Sequence, residues 1–437
     1  MNLRTKTLLT IGIAVLILVL VVISSFFINS KDILTNFSIM NQAPSLPAQN
    51  IIADFLAAQS EGGFFFYLLD ELKSHLARLV QLAGEDICLW YACKANPLPE
   101  IIKLAYASGF NLDIASRGEF SRAINCGVDP SRMIATGPAK SAAYLDQFLN
   151  AGVSTIVLES LNQAALVAAW GRAHHQRPQV LLRLQLPWDG GNSVLGGQNL
   201  TPFGLPPKDW ESFNPAWHQD LAVIGVQNFQ WGNINDAQRL AYIWQTAAIA
   251  AQRLSEKLNF KLQVLDIGGG LGLDYQSFSL RPMLDFGQVK QILHQLCQDF
   301  KIKVWMELGR YAVGPYGIYT AQVIDRKTAA ASEILVLSGG INHLARPALT
   351  QEAFPGGMVR SSTALRKKFQ VHGPLCTALD RLGEYNLPED IHPGDWLYFM
   401  QAGAYGMTEA MPFFLCHPLA QEVSIENNTA QLLPAHF

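Results

Sequence analysis

The sequence lacks the features that mark several common classes of protein. Its charges nearly cancel, with 32 Lys and Arg against 35 Asp and Glu, and it has no basic run or basic–aromatic stripe. Nucleic acid is therefore not an expected partner. The six cysteines are scattered over 437 residues without a close pair. The sequence thus predicts neither a disulfide framework nor a metal site such as zinc.

One long apolar run stands apart. Residues 7–28 are uncharged and rich in Leu, Ile and Val, enough to span a hydrocarbon core of roughly 30 Å. Arg4 and Lys6 precede the run, so the positive-inside rule puts the N-terminus in the cytosol. We therefore predict a single-pass membrane protein with an anchor over residues 1–30 that contacts the lipid bilayer. A cleaved signal peptide fits less well. A chain that starts at Met40 would be cytoplasmic and keep every motif.

After a linker and lead-in over residues 31–64, short apolar runs alternate with segments of helical periodicity. Eight runs are candidate strands, and all but the last precede a helix-like segment. They lie at 87–92, 111–116, 132–136, 154–160, 179–186, 222–229, 262–267 and 303–308. Eight such units predict an α/β fold with a closed (β/α)8 barrel over residues 65–318. An open doubly wound sheet is the alternative, which the count of eight disfavours.

Beyond residue 318 the pattern changes. Short strand-like pieces, among them "GIYTAQVIDRKT", "SEILVLSGGIN" and "DWLYFMQAGAYG", are separated by turn residues. This pattern predicts a compact C-terminal β domain over residues 319–437.

A lysine follows the first candidate strand. Lys94 lies in "WYACKANPLPE", directly after the apolar run. By position alone, a surface lysine that closes the strand is the commoner explanation. In a (β/α)8 barrel, however, catalytic residues lie at the C-terminal ends of the strands.

Two further motifs follow the seventh and eighth candidate strands. In "ELGRY", Glu307 stands three residues before Arg310. The motif "DIGGGLG" contains consecutive glycines that let backbone N–H groups approach an anion closely. These glycines are Gly268, Gly269 and Gly270. Each motif alone has an ordinary structural explanation, a tight turn or an ion pair.

Together at one barrel mouth, the three motifs predict a specific chemistry. An amine that can form a Schiff base, a phosphate cradle and a carboxylate that can keep a pyridine nitrogen protonated are the parts of a pyridoxal 5'-phosphate (PLP) site. Electron withdrawal into the ring stabilises a carbanion at the substrate Cα. PLP is therefore the predicted cofactor.

With these motifs the sequence resembles the fold-type III PLP-dependent decarboxylases, the family of the ornithine, arginine and diaminopimelate decarboxylases. "YACKANP" resembles the PLP-lysine motif, "DIGGGLG" the glycine loop, and "ELGR" the family's Glu-x-Gly-Arg with leucine in place of proline. "GPLCTALD" resembles the cysteine motif that one subunit lends to its partner's site, and "GAYG" the tyrosine loop that reaches the phosphate. The resemblance runs from about Phe65 to Phe414 and implies a homodimer with shared active sites.

The resemblance implies a role for each matched residue. Lys94 is the catalytic lysine that carries PLP, and Asp113 is an acid near it. Glu307 pairs with the pyridine nitrogen. Cys376, from the partner chain, donates a proton to the carbanion after CO2 leaves. The phosphate is bound by the backbone of Gly268, Gly269 and Gly270 and by Arg310 and Tyr405.

The implied substrate-binding residues are Arg346, Cys376 and Asp380. Arg346, in "GGINHLARPAL", matches the region where the diaminopimelate branch presents an arginine to a substrate carboxylate. Diaminopimelate decarboxylases carry glutamate after the motif cysteine, whereas this chain has Thr377. That departure counts against diaminopimelate as the substrate.

A second departure concerns the histidine that stacks on the cofactor ring in the family. The matching stretch "GVQNFQWGN" contains none, so Phe229 or Gln230 takes its place, and Asn233 that of a phosphate-binding serine.

The motifs "GGINHLARPAL" and "GPLCTALD" most resemble the siderophore-pathway branch, which decarboxylates a citrate conjugate such as citryl-diaminopropionate. The resemblance thus implies a PLP-dependent carboxy-lyase that acts on a small carboxylated amino acid or conjugate. Three alternatives stay open: a diaminopimelate or ornithine-type decarboxylase, a PLP-dependent racemase, and a non-catalytic relative. A racemase needs a second base, and a non-catalytic relative would be marked by loss of the lysine or the glycine loop.

Overall fold

The computed structural model describes residues 46–187 and 201–435. Its strands are β1 (Gly63–Leu68), β2 (Ile87–Ala92), β3 (Asn111–Ile114), β4 (Met133–Ala135), β5 (Thr155–Leu158), β6 (Gln179–Arg183), β7 (Ala222–Gln227), β8 (Val264–Asp266), β9 (Lys303–Leu308), β10 (Gly317–Ala329), β11 (Ser332–Leu337), β12 (Gly356–Met358), β13 (Arg366–His372), β14 (Arg381–Pro388), β15 (Trp396–Phe399), β16 (Gln421–Glu426) and β17 (Thr429–Leu432). Its α-helices are α1 (Gln49–Ala57), α2 (Leu69–Ala83), α3 (Pro99–Ala107), α4 (Arg117–Asn125), α5 (Ala142–Ala151), α6 (Leu161–His174), α7 (Pro207–Trp210), α8 (Ala237–Leu258), α9 (Phe286–Phe300), α10 (Arg310–Val313) and α11 (Arg346–Thr350).

Strands β2 to β9 close into a parallel barrel in chain order, with β2 pairing both β3 and β9. All eight lie within the predicted apolar runs, so the closed barrel is confirmed and the open sheet is excluded. Their residues are mostly buried and apolar, as expected where helices cover the outside of a parallel sheet. Five of the surrounding helices begin after a Ser or Asp whose side chain accepts a backbone N–H, namely Ser116, Ser141, Ser160, Asp236 and Asp285.

A nine-stranded sheet forms the second layer, which confirms the separate β domain. Its main path runs β14-β13-β11-β10-β1-β16-β17, and β15 joins β10 to β12. Strand β1 lies in the middle of this path although it precedes the barrel in the chain. It pairs antiparallel with β10 and parallel with β16. The sheet domain therefore includes a strand that we had grouped with the barrel segment; the domain boundaries themselves stay predictions.

The two layers meet at the C-terminal mouth of the barrel. The backbone N–H of Tyr405 donates to the carbonyl of Ala95 at 2.8 Å, and Asn96 donates to the carbonyl of Gly403 at 3.0 Å. The side chain of Gln401 donates to the carbonyl of Asp274 at 2.9 Å. These bonds tie the "GAYG" loop of the sheet domain to the loops that follow β2 and β8.

The prediction of a single-pass membrane protein is contradicted. Within the two described ranges, no helix is both long and apolar enough to cross a bilayer. The longest described helix, α8, has 22 residues, but one side of it is polar and carries exposed charged residues such as Arg253 and Glu256. Residues 7–28, which we expected to contact lipid, lie outside the described residues.

Candidate active site

A cavity of about 390 Å³ opens at the barrel mouth, beyond the ends of β2, β7, β8 and β9. The sheet domain completes its wall with the loop over residues 405–409. Most of the residues predicted for the site line this cavity. They are Lys94, Gly269, Gly270, Glu307, Arg310, Arg346 and Tyr405.

Lys94 faces the cavity between two carboxylates. It follows β2 in a short 3-10 turn, Cys93–Ala95. Its Nζ lies 2.6 Å from Oδ2 of Asp113 and 3.7 Å from Oε2 of Glu307. Burial lowers the pKa of Lys94, but Asp113 and Glu307 raise that pKa by more, so that it lies well above its ordinary value. The amine is thus held in the cavity as an ammonium group, which is not the setting of a surface lysine.

Asp113 is itself fixed in place. It is buried at the end of β3, and its Oδ1 accepts a hydrogen bond of 2.6 Å from Thr136 Oγ1 at the end of β4. The two carboxylate oxygens therefore have separate partners, one hydroxyl and one ammonium. Thr136 was missed in the sequence, where nothing separates it from other polar residues after a strand.

Glu307 is a buried carboxyl at the end of β9. Gln227, from β7, donates a hydrogen bond of 2.5 Å to its Oε1. Burial, together with the nearby Asp113, raises the pKa of Glu307 to about 7. The neighbouring Asp266 is fully buried, and burial and Glu307 raise its pKa as well. Lys94 and Arg183 lower the pKa of Glu307 but do not outweigh its burial, and a protonated nitrogen beside Glu307 would add a further counter-charge.

The glycine triplet follows β8, next to Glu307. Gly268 and Gly270 have φ of 59° and 100°, in the left-handed region that favours glycine. A Cβ on Gly269 would lie 2.3 Å from the backbone oxygen of Glu307. The loop therefore brings bare backbone to the cavity, as an anion cradle requires.

Arg310 and Tyr405 form the next part of the wall. Arg310 donates through Nη1 to the hydroxyl of Tyr275, and its guanidinium lies 4.8 Å from the centre of the Tyr405 ring. Tyr405 has a φ of 54°, which is uncommon for a residue other than glycine and is found at ligand sites. Its position is fixed by the backbone bond to Ala95.

Arg346 begins α11 and is nearly buried. Its Nη1 lies 3.1 Å from Oε2 of Glu409, and its guanidinium lies 5.8 Å from the centre of the Tyr405 ring. Glu409 was not singled out in the sequence. It lies four residues beyond the tyrosine of "GAYG", and only the fold shows that it meets Arg346.

Of the two replacements considered for the ring-stacking histidine, Phe229 lines the cavity. The Gln230 side chain instead bonds both the backbone N–H and the carbonyl of Leu186, each at 2.8 Å. Asn233 also lines the cavity, and its Oδ1 accepts a bond of 2.9 Å from the backbone N–H of Leu273.

Cys376 and Asp380 lie apart from the other predicted residues. Cys376 is exposed and is not among the residues that line the cavity. Asp380 is buried, and its two oxygens accept backbone N–H groups of Ile341 and Leu375, each at 2.7 Å. Asp380 therefore holds the cysteine loop against the loop that leads to Arg346.

We expect Asp380→Asn to lower the free energy of unfolding by about 1–3 kcal/mol, because an amide NH2 would then face a backbone N–H in a buried site. Denaturant unfolding measures this change. Asp86→Asn, at an exposed carboxylate, is the control and should change stability by less than about 0.5 kcal/mol. Equal stabilities of the two variants would contradict the bridging role.

Comparisons with known proteins agree with this geometry. Residues 69–314 match the family model described as "Pyridoxal-dependent decarboxylase, pyridoxal binding domain". The L-glutamyl-[BtrI acyl-carrier protein] decarboxylase of Niallia circulans is 24% identical over 401 residues, covering 86% of this chain and 92% of the relative. A diaminopimelate decarboxylase of Neisseria meningitidis serogroup B is 28% identical, covering 84% and 87%.

Solved structures show the same fold. Diaminopimelate decarboxylase of Helicobacter pylori, complexed with L-lysine, superposes with a TM-score of 0.78 at 21% identity, covering 87% of this chain and 95% of that one. The arginine decarboxylase of Paramecium bursaria Chlorella virus gives 0.74 at 20% identity, covering 86% and 100%. The curated relatives named above are decarboxylases, which favours that activity over the racemase and non-catalytic alternatives.

Proposed function

The chain belongs to the family of pyridoxal-dependent decarboxylases and is a PLP-dependent carboxy-lyase, and from that premise we propose that its substrate is an amino acid with a second carboxylate at its far end. The observation that carries the proposal is Arg346, a nearly buried guanidinium that lines the same cavity as Lys94. A buried cation in a binding cavity selects an anionic ligand group, and guanidinium matches carboxylate geometry.

The residues present fit PLP. Lys94 supplies the amine, the glycine loop and Arg310 supply donors for a phosphate, and the buried Glu307 carboxylate could pair with a protonated ring nitrogen. Phe229 adds an apolar aromatic ring to the wall of the same cavity. When bound, the cofactor withdraws electrons and so stabilises negative charge at the substrate Cα.

The chain's own residues orient the reacting groups and supply the proton that the substrate takes up. Asp113, fixed by Thr136, holds the Lys94 amine at the cavity mouth. Gln227 orients Glu307 so that its free oxygen faces Lys94 and the space beyond. The Cys376 thiol of the partner chain donates the proton that replaces CO2 at the substrate Cα. Asp380 positions that cysteine rather than touching the substrate.

We further propose that two copies share their active sites. Cys376 is exposed and lies outside its own cavity. Exposed apolar side chains surround this loop and the segment after the tyrosine loop, with Leu379 69% and Phe413 78% exposed. The N–H of Met411 donates to the carbonyl of Ile341, which joins that segment to the Asp380 bridge. A patch of this kind favours burial against a second copy.

Two substrates of this class are candidates. The motif resemblance favours a conjugate of the citryl-diaminopropionate type, whose far end carries several carboxylates. Relatives named as diaminopimelate decarboxylases favour diaminopimelate instead. Both carry a far carboxylate that Arg346 could bind, and we assign Arg310 to the phosphate instead.

A CO2-release screen tests the proposal. We expect turnover of substrates with a far carboxylate and little turnover of ornithine. Arg346→Gln should raise KM for the former by about ten- to a hundredfold with a smaller change in kcat, because it removes a charge-assisted bond. Arg360→Gln, which breaks an ion pair in the sheet domain, is the matched control. Better turnover of ornithine than of every dicarboxylic substrate would refute the proposal.

A further inference from the structure

Each cation in the cavity wall has an identifiable partner. Lys94 is paired with Asp113, and Arg310 is bonded to Tyr275. Arg346 is paired with Glu409, at 3.1 Å. The Glu409 carboxylate therefore lies in the space where a substrate carboxylate would meet Arg346. Both side chains are largely shielded from solvent, with 11% and 31% of their surfaces exposed.

The backbone around Glu409 is held on both sides. Glu409 ends a short 3-10 turn, Met407–Glu409. Before the turn, Tyr405 N–H is bonded to Ala95, and after it Met411 N–H donates to Ile341 at 3.0 Å. These bonds hold the backbone of the turn, so Glu409 stays within side-chain reach of Arg346.

A ligand with only a carboxylate at this end would bring a second negative charge beside Glu409. Like charges repel, and screening by water is weaker in a shielded cavity. A ligand with an ammonium group beside its carboxylate would instead satisfy both ions: its carboxylate would meet Arg346 and its ammonium Glu409.

We propose that Glu409 is a specificity-determining residue that selects substrates with a zwitterionic far end. The inference rests on the proposed function of the cavity and deepens it. It ranks an amino acid with an ammonium and a carboxylate at the far end, as in diaminopimelate, above a conjugate whose far end carries carboxylates alone.

The test compares two substrates of the holoenzyme. Meso-diaminopimelate and 2-aminopimelate share the carbon chain and both carboxylates, but 2-aminopimelate lacks the far amine. We expect the ratio of their kcat/KM values to fall by about tenfold in Glu409→Gln, which is isosteric and neutral. Glu409→Asp, which keeps the charge, should retain most of the preference.

Binding of pimelate to the holoenzyme, measured by calorimetry, tests Glu409 independently of turnover. Pimelate has the carboxylates and no amine, so Glu409→Gln should bind it about fivefold more tightly than the unmodified chain. Glu384→Gln, which breaks an ion pair in the sheet domain, is the control and should change neither quantity.

The outcomes separate the two proposals. If neither amino acid is decarboxylated, the proposed substrate class fails, and tighter pimelate binding by Glu409→Gln still supports the role of Glu409 in charge selection. If diaminopimelate is decarboxylated but the substrate ratio and the pimelate affinity are unchanged in Glu409→Gln, the role of Glu409 is overturned while the proposed function stands.

Discussion

Lys94→Ala is expected to abolish covalent attachment of PLP and to reduce CO2 release by at least about a thousandfold. Lys94 is the amine that lines the cavity, 2.6 Å from Asp113 and 3.7 Å from Glu307. The absorbance of the Schiff-base band and the yield of a borohydride-reducible PLP adduct measure attachment directly. We expect the variant to fold, because Asp113 keeps its bond to Thr136 and the barrel core is untouched.

Lys140 is a second lysine to which the cofactor could be attached, and it gives the prediction an explicit alternative. Lys140 is buried after β4, and burial lowers its pKa to about 8, so it is the other amine near the barrel mouth that is suited to reaction. It does not line the cavity. We therefore expect Lys94→Ala to give no adduct. An adduct that persists in Lys94→Ala and disappears in the double variant with Lys140→Ala would move the cofactor to Lys140.

Lys257→Ala serves as the surface control, since Lys257 belongs to an exposed ion pair with Glu211. It should retain both the adduct and the activity. Loss of activity in this control would show that the assay responds to lysine removal in general.

The barrel could be predicted because local signals repeat. Each apolar run but the last is followed by a helix-like segment, and the count of eight allows closure without knowledge of any contact. Strand β1 could not be assigned in this way. All six of its residues are buried, so it shows no alternation, and its partners β10 and β16 lie more than 200 residues away in the chain.

The residues of the site also fall into those that the sequence could predict and those that it could not. Lys94, Glu307 and Arg310 were predictable because each lies at or just after the end of a strand, within a recognisable motif. Gln227, Thr136 and Glu409 were not, because their importance comes from contacts between different strands or domains. The membrane prediction, which is contradicted, depended on the composition of residues 7–28 alone, and these lie outside the described residues.

Mixing Lys94→Ala and Cys376→Ala protomers is expected to restore activity that neither variant has alone. In a two-fold dimer with shared sites, a mixed pair contains one site with both substitutions and one site with neither. Random exchange makes half of the dimers mixed, so activity should return to about a quarter of that of the unmodified protein. CO2 release after verified subunit exchange is the measurement.

The structure supplies the reason to expect this complementation. Cys376 is exposed, while Lys94 lies in a cavity that Cys376 of the same chain does not line. The buried Asp380 holds the cysteine loop in this position by accepting hydrogen bonds of 2.7 Å from the backbone N–H groups of Ile341 and Leu375. We therefore propose that the thiol at each site comes from a second chain.

Cys416→Ala is the matched control for this experiment. Cys416 is also an exposed thiol, but it lies outside the cysteine motif, so its removal should leave the activity unchanged. Absence of recovery in the mixed Lys94→Ala and Cys376→Ala sample would mean that both residues act within one chain, or that Cys376 is not the proton donor. Full activity of Cys376→Ala alone would assign the proton to another group, whereas recovery to about a quarter requires the shared site.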